Sequence, residues 1–241
     1  MGLVQSKQGS GNAATLTITL DGSTTAGNGL VVLVAASGTS TNPTSVSAVT
    51  LGGVADHFSQ LSTFGSASDA AIGSTWLDLN CAGGQTSVAI TATGGSGTLA
   101  LMATVYEWAG LAPSGTLDKT ANSVSAGSTS WTSTATAATT QASEVWMGAV
   151  FTTASGAGTV TGPSSPWTNL AQVSQTQGSF ADRWMSGYQE VVSTGTAAYA
   201  GAVTPSSQWI SKIVALKLDV TTPVAASPKI YTTAVNRAAT W

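Results

Sequence analysis

The chain has 241 residues and a formal net charge of −3, and only 7% of its residues are charged. Its 42% apolar content and eight tryptophans exclude a disordered chain, and the lack of a run of about 18 apolar residues excludes a membrane-spanning helix. Seven basic residues are scattered without forming a stripe, so nucleic-acid binding lacks its electrostatic signature, and the single cysteine excludes an internal disulfide.

Strand patterns dominate the first part of the chain. Residues 13–20 alternate apolar side chains with threonines, which is typical of a half-buried strand. Residues 29–37, GLVVLVAAS, are apolar at both odd and even positions, which point to opposite faces of a strand. This pattern predicts a strand that is covered on both faces. Further strands are predicted at 46–51, 54–64, 72–79 and 86–93, with a loop at 37–45.

The run from Thr98 to Leu111 is the most apolar long segment and carries one charge, Glu107. Apolar residues at both parities predict a central strand with Leu101 and Val105 buried, although a buried helix is the alternative for a short apolar run. The glycines at 94–97 precede this run, and we interpret them, together with Gly156-Ala157-Gly158, as hairpin turns.

The second half has less regular patterns. Residues 114–142 are rich in Ser, Thr and Ala, which predicts either two thin edge strands or a long loop. A buried strand is predicted at 144–153 and an imperfect one at 167–174. Residues 180–192 and 196–203 are predicted to pair across a turn at 193–195, and residues 208–220 are predicted to end the core.

Strands recurring every 10 to 15 residues without a convincing amphipathic helix predict an all-β sandwich or barrel. We divide the chain into an N-terminal segment (1–12), a β-sandwich domain (13–220) and a C-terminal arm (221–241). The alternation stops after Val220, yet the tail carries Tyr231, Arg237 and Trp241. These three residues are candidate assembly contacts on a neighbouring subunit or another protein; the alternative is a strap over the chain's own sandwich.

Residues able to carry catalysis are sparse. His57 is the only histidine, and its neighbour Asp56 would point to the opposite face of a strand, so no Ser-His-Asp arrangement is indicated. Glu107 is the best candidate for a perturbed carboxylate; the alternative is a strand-end residue paired with a lysine or a backbone amide. No EF-hand loop and no cluster of Cys and His residues with the spacing of metal ligands occurs. We therefore assign no catalytic, cofactor-binding or metal-binding residue and expect a protein that is not an enzyme.

Aromatic residues offer the remaining candidate site. A flat tryptophan ring can cover a sugar, although most of the eight lie in strand patterns typical of a core. Trp167 and Trp184 are the ones we expect to be exposed. With Arg183 they form the candidate contact for a glycan or a neighbouring subunit.

Three segments carry a family resemblance: GLVVLVAAS from Gly29, VYEWAGL from Val105, and the closing run from Phe180 to Leu218. Together they resemble the jelly-roll β-sandwich virion proteins of tailed phages, especially those of actinobacterial phages. The resemblance implies a jelly-roll-like antiparallel β-sandwich with a C-terminal extended arm, and a role as a minor tail or capsid-surface decoration protein without catalytic residues.

The resemblance also implies partners and a location. Other virion proteins, further copies of the chain and a host-surface glycan are the expected partners, with no nucleic acid, membrane insertion or cofactor. The first residues, MGLVQSKQGSGNAATL, lack the pattern of a secretory signal, so we expect assembly in the host cytoplasm and a place on the particle surface. The alternative is a carbohydrate-binding or adhesive β-sandwich module of an extracellular bacterial protein.

Overall fold

The computed structural model describes residues 1–53, 57–66 and 68–220, and the regular secondary structure of this part is entirely β. All strand pairs are antiparallel, which confirms the predicted all-β antiparallel sandwich; its jelly-roll connectivity stays a prediction. No helix in the described residues is long and apolar enough to cross a membrane. The strands are β1 (Gly2–Gly11), β2 (Thr15–Thr19), β3 (Gly29–Gly38), β4 (Ser45–Leu51), β5 (Ser59–Gly65), β6 (Ile72–Asp78), β7 (Ser87–Thr93), β8 (Leu99–Ala109), β9 (Leu117–Thr132), β10 (Ser143–Ser155), β11 (Thr159–Thr161), β12 (Thr168–Asn169), β13 (Val173–Gln177), β14 (Phe180–Val192) and β15 (Ala200–Lys217).

The strands form three sheets. The middle sheet has the order β1-β8-β3-β6-β5, and the small sheet has the order β2-β7-β4. The large sheet has the order β11-β15-β10-β14-β12, with β9 added on β15 and β13 on β14. Because β3 and β8 are neighbours inside the middle sheet, their apolar side chains at both parities can be buried on both of its faces.

Two cores lie on the two faces of the middle sheet. The core toward the small sheet includes Leu101 and Val105 of β8, which are 0% and 1% exposed. The core toward the large sheet includes Met102 and Tyr106 of the same strand, both fully buried. The predicted central strand with two covered faces is therefore confirmed, and the helical alternative is wrong.

A third apolar cluster, the outer cluster, covers the far face of the large sheet. Segment 133–139 donates backbone hydrogen bonds to segment 195–199, and this pair of irregular segments lies along the sheet. The members of the outer cluster are Trp131, Val150, Val160, Met185, Ala197, Tyr199, Val203, Trp209 and Ile213. The large sheet is thus also buried on both faces over much of its area.

The predicted hairpin of residues 180–192 and 196–203 is wrong. β14 and β15 do not pair, because β10 lies between them and forms hydrogen bonds with both. Residues 200–203 instead begin β15, which continues without a break to Lys217. Periodicity within each segment indicated strands, but it carried no information on which strands are neighbours.

Two Ser/Thr/Gly-rich regions of unclear pattern turn out to be edge strands. Residues 117–132 form one long strand, β9, rather than two thin strands or a loop. The N-terminal segment contains β1, which pairs with β8, so it is a strand of the middle sheet. β1 forms backbone hydrogen bonds with the apolar strand β8, and β9 forms them with β15. These hydrogen bonds stabilise the two edge strands, whose own side chains bury little apolar surface.

The two glycine-rich pieces are not hairpin turns. Residues 94–97 connect β7 of the small sheet to β8 of the middle sheet, and these strands do not pair. Residues 156–158 separate β10 from β11, and both of these strands run antiparallel to β15, β10 beside residues 208–217 and β11 beside residues 202–204. β11 therefore continues the path of β10 after a short outward excursion. The predicted C-terminal arm lies outside the described residues.

Candidate functional site at the loop end

Adjoining hollows lie at the end of the molecule where β10 ends and β14 begins. The largest is a groove of about 630 Å³, which we call the loop-end groove. A second hollow of about 290 Å³, which we call the Arg183 cavity, shares the side chain of Phe180 with the groove. The groove is lined by Ala126, Gly127, Thr153, Ala154, Ser155, Phe180, Pro205, Ser206, Ser207 and Gln208.

The β13–β14 hairpin presents Phe180. Gln177 pairs with Phe180, and the turn between them contains Gly178 with a φ of 62°, a value that favours glycine. Phe180 is the first residue of β14 and stays 42% exposed, whereas residues 182–187 of the strand are buried. The hairpin therefore holds an aromatic ring at the rim where groove and cavity meet.

An irregularity in β15 forms the opposite wall of the groove. The register between β15 and β9 shifts between Ala202 and Ser207, so residues 203–206 leave the ladder with β9, while Val203 and Thr204 pair with β11 on the other edge. Ser207 Oγ donates to Pro205 O at 2.9 Å and ties this bulge together. Serine hydroxyls, a glutamine amide and backbone groups line the wall, and no charged side chain lines the groove.

A buried polar network supports the hairpin from below. Ser37 Oγ of β3 donates to Asp182 Oδ2 at 2.9 Å and to Gln177 Oε1 at 3.3 Å. Gln177 Nε2 donates to Thr98 O. Burial raises the pKa of Asp182, against the lowering effect of hydrogen bonds from Thr153 and Ser37. The network joins the middle sheet to the large sheet and fixes the base of the turn that carries Phe180.

Arg183 lies in the wall of the cavity. Its side chain points to the opposite face from Asp182, because neighbours in a strand alternate. It is 1% exposed, and its Nη2 donates to Gly156 O at 2.5 Å. Its Nη1 is buried without a hydrogen-bond partner. Burial lowers the pKa of Arg183, and the negative charge of Asp182 partly offsets this effect.

The structure separates the three residues that the sequence grouped as a contact. Trp184 is fully buried between the middle and large sheets, where its Nε1 donates to Thr104 Oγ1 at 2.8 Å. Trp167 is partly buried and packs on Tyr199 of the outer cluster, with ring centroids 4.8 Å apart. Of the three residues, Arg183 lines a hollow, and the expected exposure of Trp184 is wrong.

The buried position of Trp184 has a simple cause. β14 is an inner strand of the large sheet, with β10 on one side and β12 and β13 on the other. Sequence alternation placed Trp184 on one face of a strand but could not reveal that the middle sheet covers this face. The candidate arm residues Tyr231, Arg237 and Trp241 lie outside the described residues.

Glu107 has a structural role. It is fully buried in β8, and its carboxylate accepts hydrogen bonds from Thr25 N at 2.8 Å, Asn28 Nδ2 at 2.6 Å and Gln5 Nε2 at 2.6 Å. The backbone-amide alternative from the sequence analysis is thereby confirmed. The carboxylate ties the connection between β2 and β3, and the Gln5 side chain of the edge strand β1, to β8. His57 is exposed between β4 and β5.

An acidic pair that the sequence analysis missed lies at the other end of β15. Asp118 accepts hydrogen bonds from Thr140 N and Thr140 Oγ1 and lies 3.6 Å from Lys217 Nζ. Burial tends to raise the pKa of Asp118, but the bonds from Thr140 outweigh it, so the pKa is well below its usual range. Burial raises the pKa of Glu144 beside it. These contacts fasten segment 133–141 to the large sheet.

Neither metal-binding groups nor similar proteins identify a function for this chain. Within residues 1–53, 57–66 and 68–220, no three His, Cys, Asp or Glu side chains come close enough to hold a metal ion. Comparison of the chain with protein-family models, with curated proteins and with solved structures finds no match. The loop-end groove draws its residues from four separate strands, β9, β10, β14 and β15, so no contiguous motif in the sequence could have pointed to it.

Proposed function

We propose that this chain is a non-enzymatic structural protein of a tailed-phage virion, a minor tail or capsid-surface decoration protein, whose loop end contributes to adhesion to host-surface glycans. The observation that supports adhesion is the composition of the loop-end groove. An exposed aromatic ring, Phe180, lies beside serine hydroxyls, the Gln208 amide and backbone groups, with no charge in the lining.

This composition suits a sugar for physical reasons. The apolar face of a pyranose packs against a flat aromatic ring, while hydroxyl and amide groups exchange hydrogen bonds with sugar hydroxyls. A groove without charge imposes no large desolvation penalty on a neutral polyhydroxylated ligand. These groups lie on hydrogen-bonded strands of one sheet, which holds them in fixed positions.

The virion part of the proposal rests on the resemblance of the three sequence segments and on the hydroxyl-rich surface with few charges. The alternative function is a carbohydrate-binding or adhesive module of an extracellular bacterial protein. The loop-end groove supports this alternative equally, because both functions need a sugar site. The two are distinguished by where the protein is found, not by the groove.

A glycan array with the purified chain tests the adhesive role. We expect selective binding that Phe180→Ala reduces about tenfold, as loss of a stacked aromatic ring does. Val192→Ala is the matched control, because Val192 is 89% exposed at the far end of the same strand. Binding that Phe180→Ala leaves unchanged would rule out the groove as the sugar site.

Mass spectrometry of purified particles tests the virion role. We expect the chain to co-sediment with phage particles at a fixed ratio to the major capsid protein. Recovery of the chain only from the culture medium, free of particles or joined to a secreted enzyme, would favour the extracellular module instead.

A further inference from the structure

We infer that the Arg183 cavity binds the carboxylate of an acidic sugar residue, so that the loop end recognises a glycan containing a uronic or similar sugar acid. This inference rests on the proposed glycan-binding function and names its ligand class. It is carried by the guanidinium of Arg183, which is buried, lines a cavity and has a terminal nitrogen without a partner.

The charge of Arg183 lacks a direct counter-ion. Buried charged groups in proteins are normally paired, because an unpaired charge away from water is costly. In the described part of the chain, the one hydrogen bond of its guanidinium goes to a neutral carbonyl, Gly156 O. Asp182, the nearest acid in sequence, is bound to Ser37 on the opposite face of the sheet. An anionic ligand group would supply the missing partner.

The cavity has room and suitable neighbours for such a group. Its volume is about 290 Å³, and its lining includes the hydroxyl residues Ser174, Thr176 and Ser179. These hydroxyls can hydrogen-bond either to a carboxylate or to the sugar that carries it. No acidic side chain lines the cavity, so no protein carboxylate competes with the ligand for Arg183.

The excursion at residues 156–158 packs against the guanidinium of Arg183. A Cβ placed on Gly158 would lie 2.7 Å from Arg183 Nη2, so the turn packs directly on the side chain. Gly156 and Ala157 are exposed, whereas Nη1 is buried, so a ligand must displace this excursion between β10 and β11 to reach Nη1. Arginine is well suited to the role, because its planar donors match the two oxygens of a carboxylate.

The cavity and the groove can serve a single ligand. Phe180 lines both, so a sugar stacked on its ring has one edge toward the groove and another toward Arg183. A glycan could therefore place a neutral unit in the groove and an acidic unit in the cavity. Recognition of the carboxylate would then add selectivity to the binding that the groove provides.

Calorimetric titration with two matched oligosaccharides tests this inference. One ends in glucuronic acid and the other in glucose, so they differ by the carboxylate alone. We expect the wild-type chain to bind the acidic form about tenfold more tightly, in keeping with a hydrogen bond to a charged group. Arg183→Gln should remove this preference and leave the affinity for the glucose form unchanged.

A second variant keeps the test valid if removal of a buried arginine disturbs folding. Ala157→Phe fills the cavity from an exposed position and should also remove the preference, without loss of the Arg183 charge. Lys7→Gln removes one exposed positive charge at a distant site and should keep the preference. Circular dichroism melting of each variant verifies that it is folded.

The outcomes separate this inference from the proposed function. Equal affinity for both oligosaccharides, or a preference that survives Ala157→Phe, would overturn the carboxylate site while glycan adhesion stands. Tighter binding of a matched sugar phosphate than of the glucuronic acid form would also overturn it. Binding of neither oligosaccharide class at millimolar concentration would overturn both.

Discussion

At the scale of single residues, the most unusual side chain is that of Lys212, an amine buried in the apolar core between the middle and large sheets. It is 1% exposed in β15, and its Nζ lies 5.9 Å from the ring centroid of Phe64. The cation–π contact offsets a small part of the cost of removing an ammonium group from water. Burial lowers the pKa of Lys212 to about 8, so the core holds this residue more easily when it is neutral.

This burial predicts a pH-dependent effect of Lys212→Met. Below pH 8 the lysine is protonated in both the folded and unfolded states, and the folded state bears the full cost of the charge. Between about 8 and the ordinary value of 10.5, the folded state has lost the proton that the unfolded state still binds, so wild-type stability rises. Lys212→Met should therefore be more stable than wild type below pH 8, by a margin that shrinks toward pH 10.5.

Urea unfolding from pH 7 to pH 10 measures this margin. Lys7→Met, which removes a half-exposed lysine, is the matched control. The pKa of Cys81, which burial raises to about 11, lowers stability above pH 9 in all three proteins and cancels in the differences. A margin that does not change with pH would contradict the buried-charge account.

Glu107→Gln should cost stability and leave glycan binding intact. The amide NH₂ of glutamine would face groups that donate to the carboxylate, namely Thr25 N, Asn28 Nδ2 and Gln5 Nε2. We expect a loss of about 1–3 kcal/mol, the usual cost of an unsatisfied buried donor or acceptor. Thermal unfolding measures the loss, with Glu190→Gln on the surface as control. Loss of glycan binding by the folded variant would instead assign Glu107 to the site.

At the scale of elements, β8 decides the architecture because both of its faces are buried. Leu101→Ala removes side-chain volume from the core between the middle and small sheets, where Leu101 is fully buried. We expect a loss of about 2–5 kcal/mol in the free energy of unfolding, as for other buried leucines. Val124→Ala on the edge strand β9 is the control, since Val124 is 42% exposed and should change stability by less than about 0.5 kcal/mol. A loss below that value for Leu101→Ala would contradict the assigned burial.

The elements that the sequence predicted well are those whose own side chains require burial. The apolar runs of β3, β8 and β10 left no choice other than coverage on both faces. β1 and β9 were not predicted clearly, because their strand structure depends on hydrogen bonds to β8 and β15 and not on their own side-chain pattern. The pairing of β14 with β15 was predicted wrongly because a turn between two strands does not specify whether a third strand lies between them.

At the scale of the whole molecule, three stacked sheets form a rigid support with binding groups at one end. The residues of the loop-end groove come from four strands, β9, β10, β14 and β15, which are far apart in sequence, so only the folded chain brings them together. The tryptophans misled the sequence analysis for the same reason: Trp184 lies beside charged residues in sequence but under the middle sheet in space. Phe180, which the sequence analysis did not single out, is the exposed ring.

Deletion of residues 222–241 tests the proposed assembly arm. If this segment docks on a neighbouring subunit or another virion protein, the truncated chain should keep its melting temperature and fail to join oligomers or particles. Differential scanning calorimetry and size-exclusion chromatography measure the two properties. A large drop in melting temperature with assembly intact would contradict the arm and favour a strap over the chain's own sandwich.

The central claim is that the loop end of this sandwich binds glycans. Its most direct test is a titration of ¹⁵N-labelled protein with a glycan selected from the array, followed by amide chemical shifts. We predict that the shifts concentrate at residues 126–127, 153–158, 178–181 and 205–208, and that they are reduced in Phe180→Ala. Shifts confined to other parts of the molecule, or none up to millimolar glycan, would contradict the account.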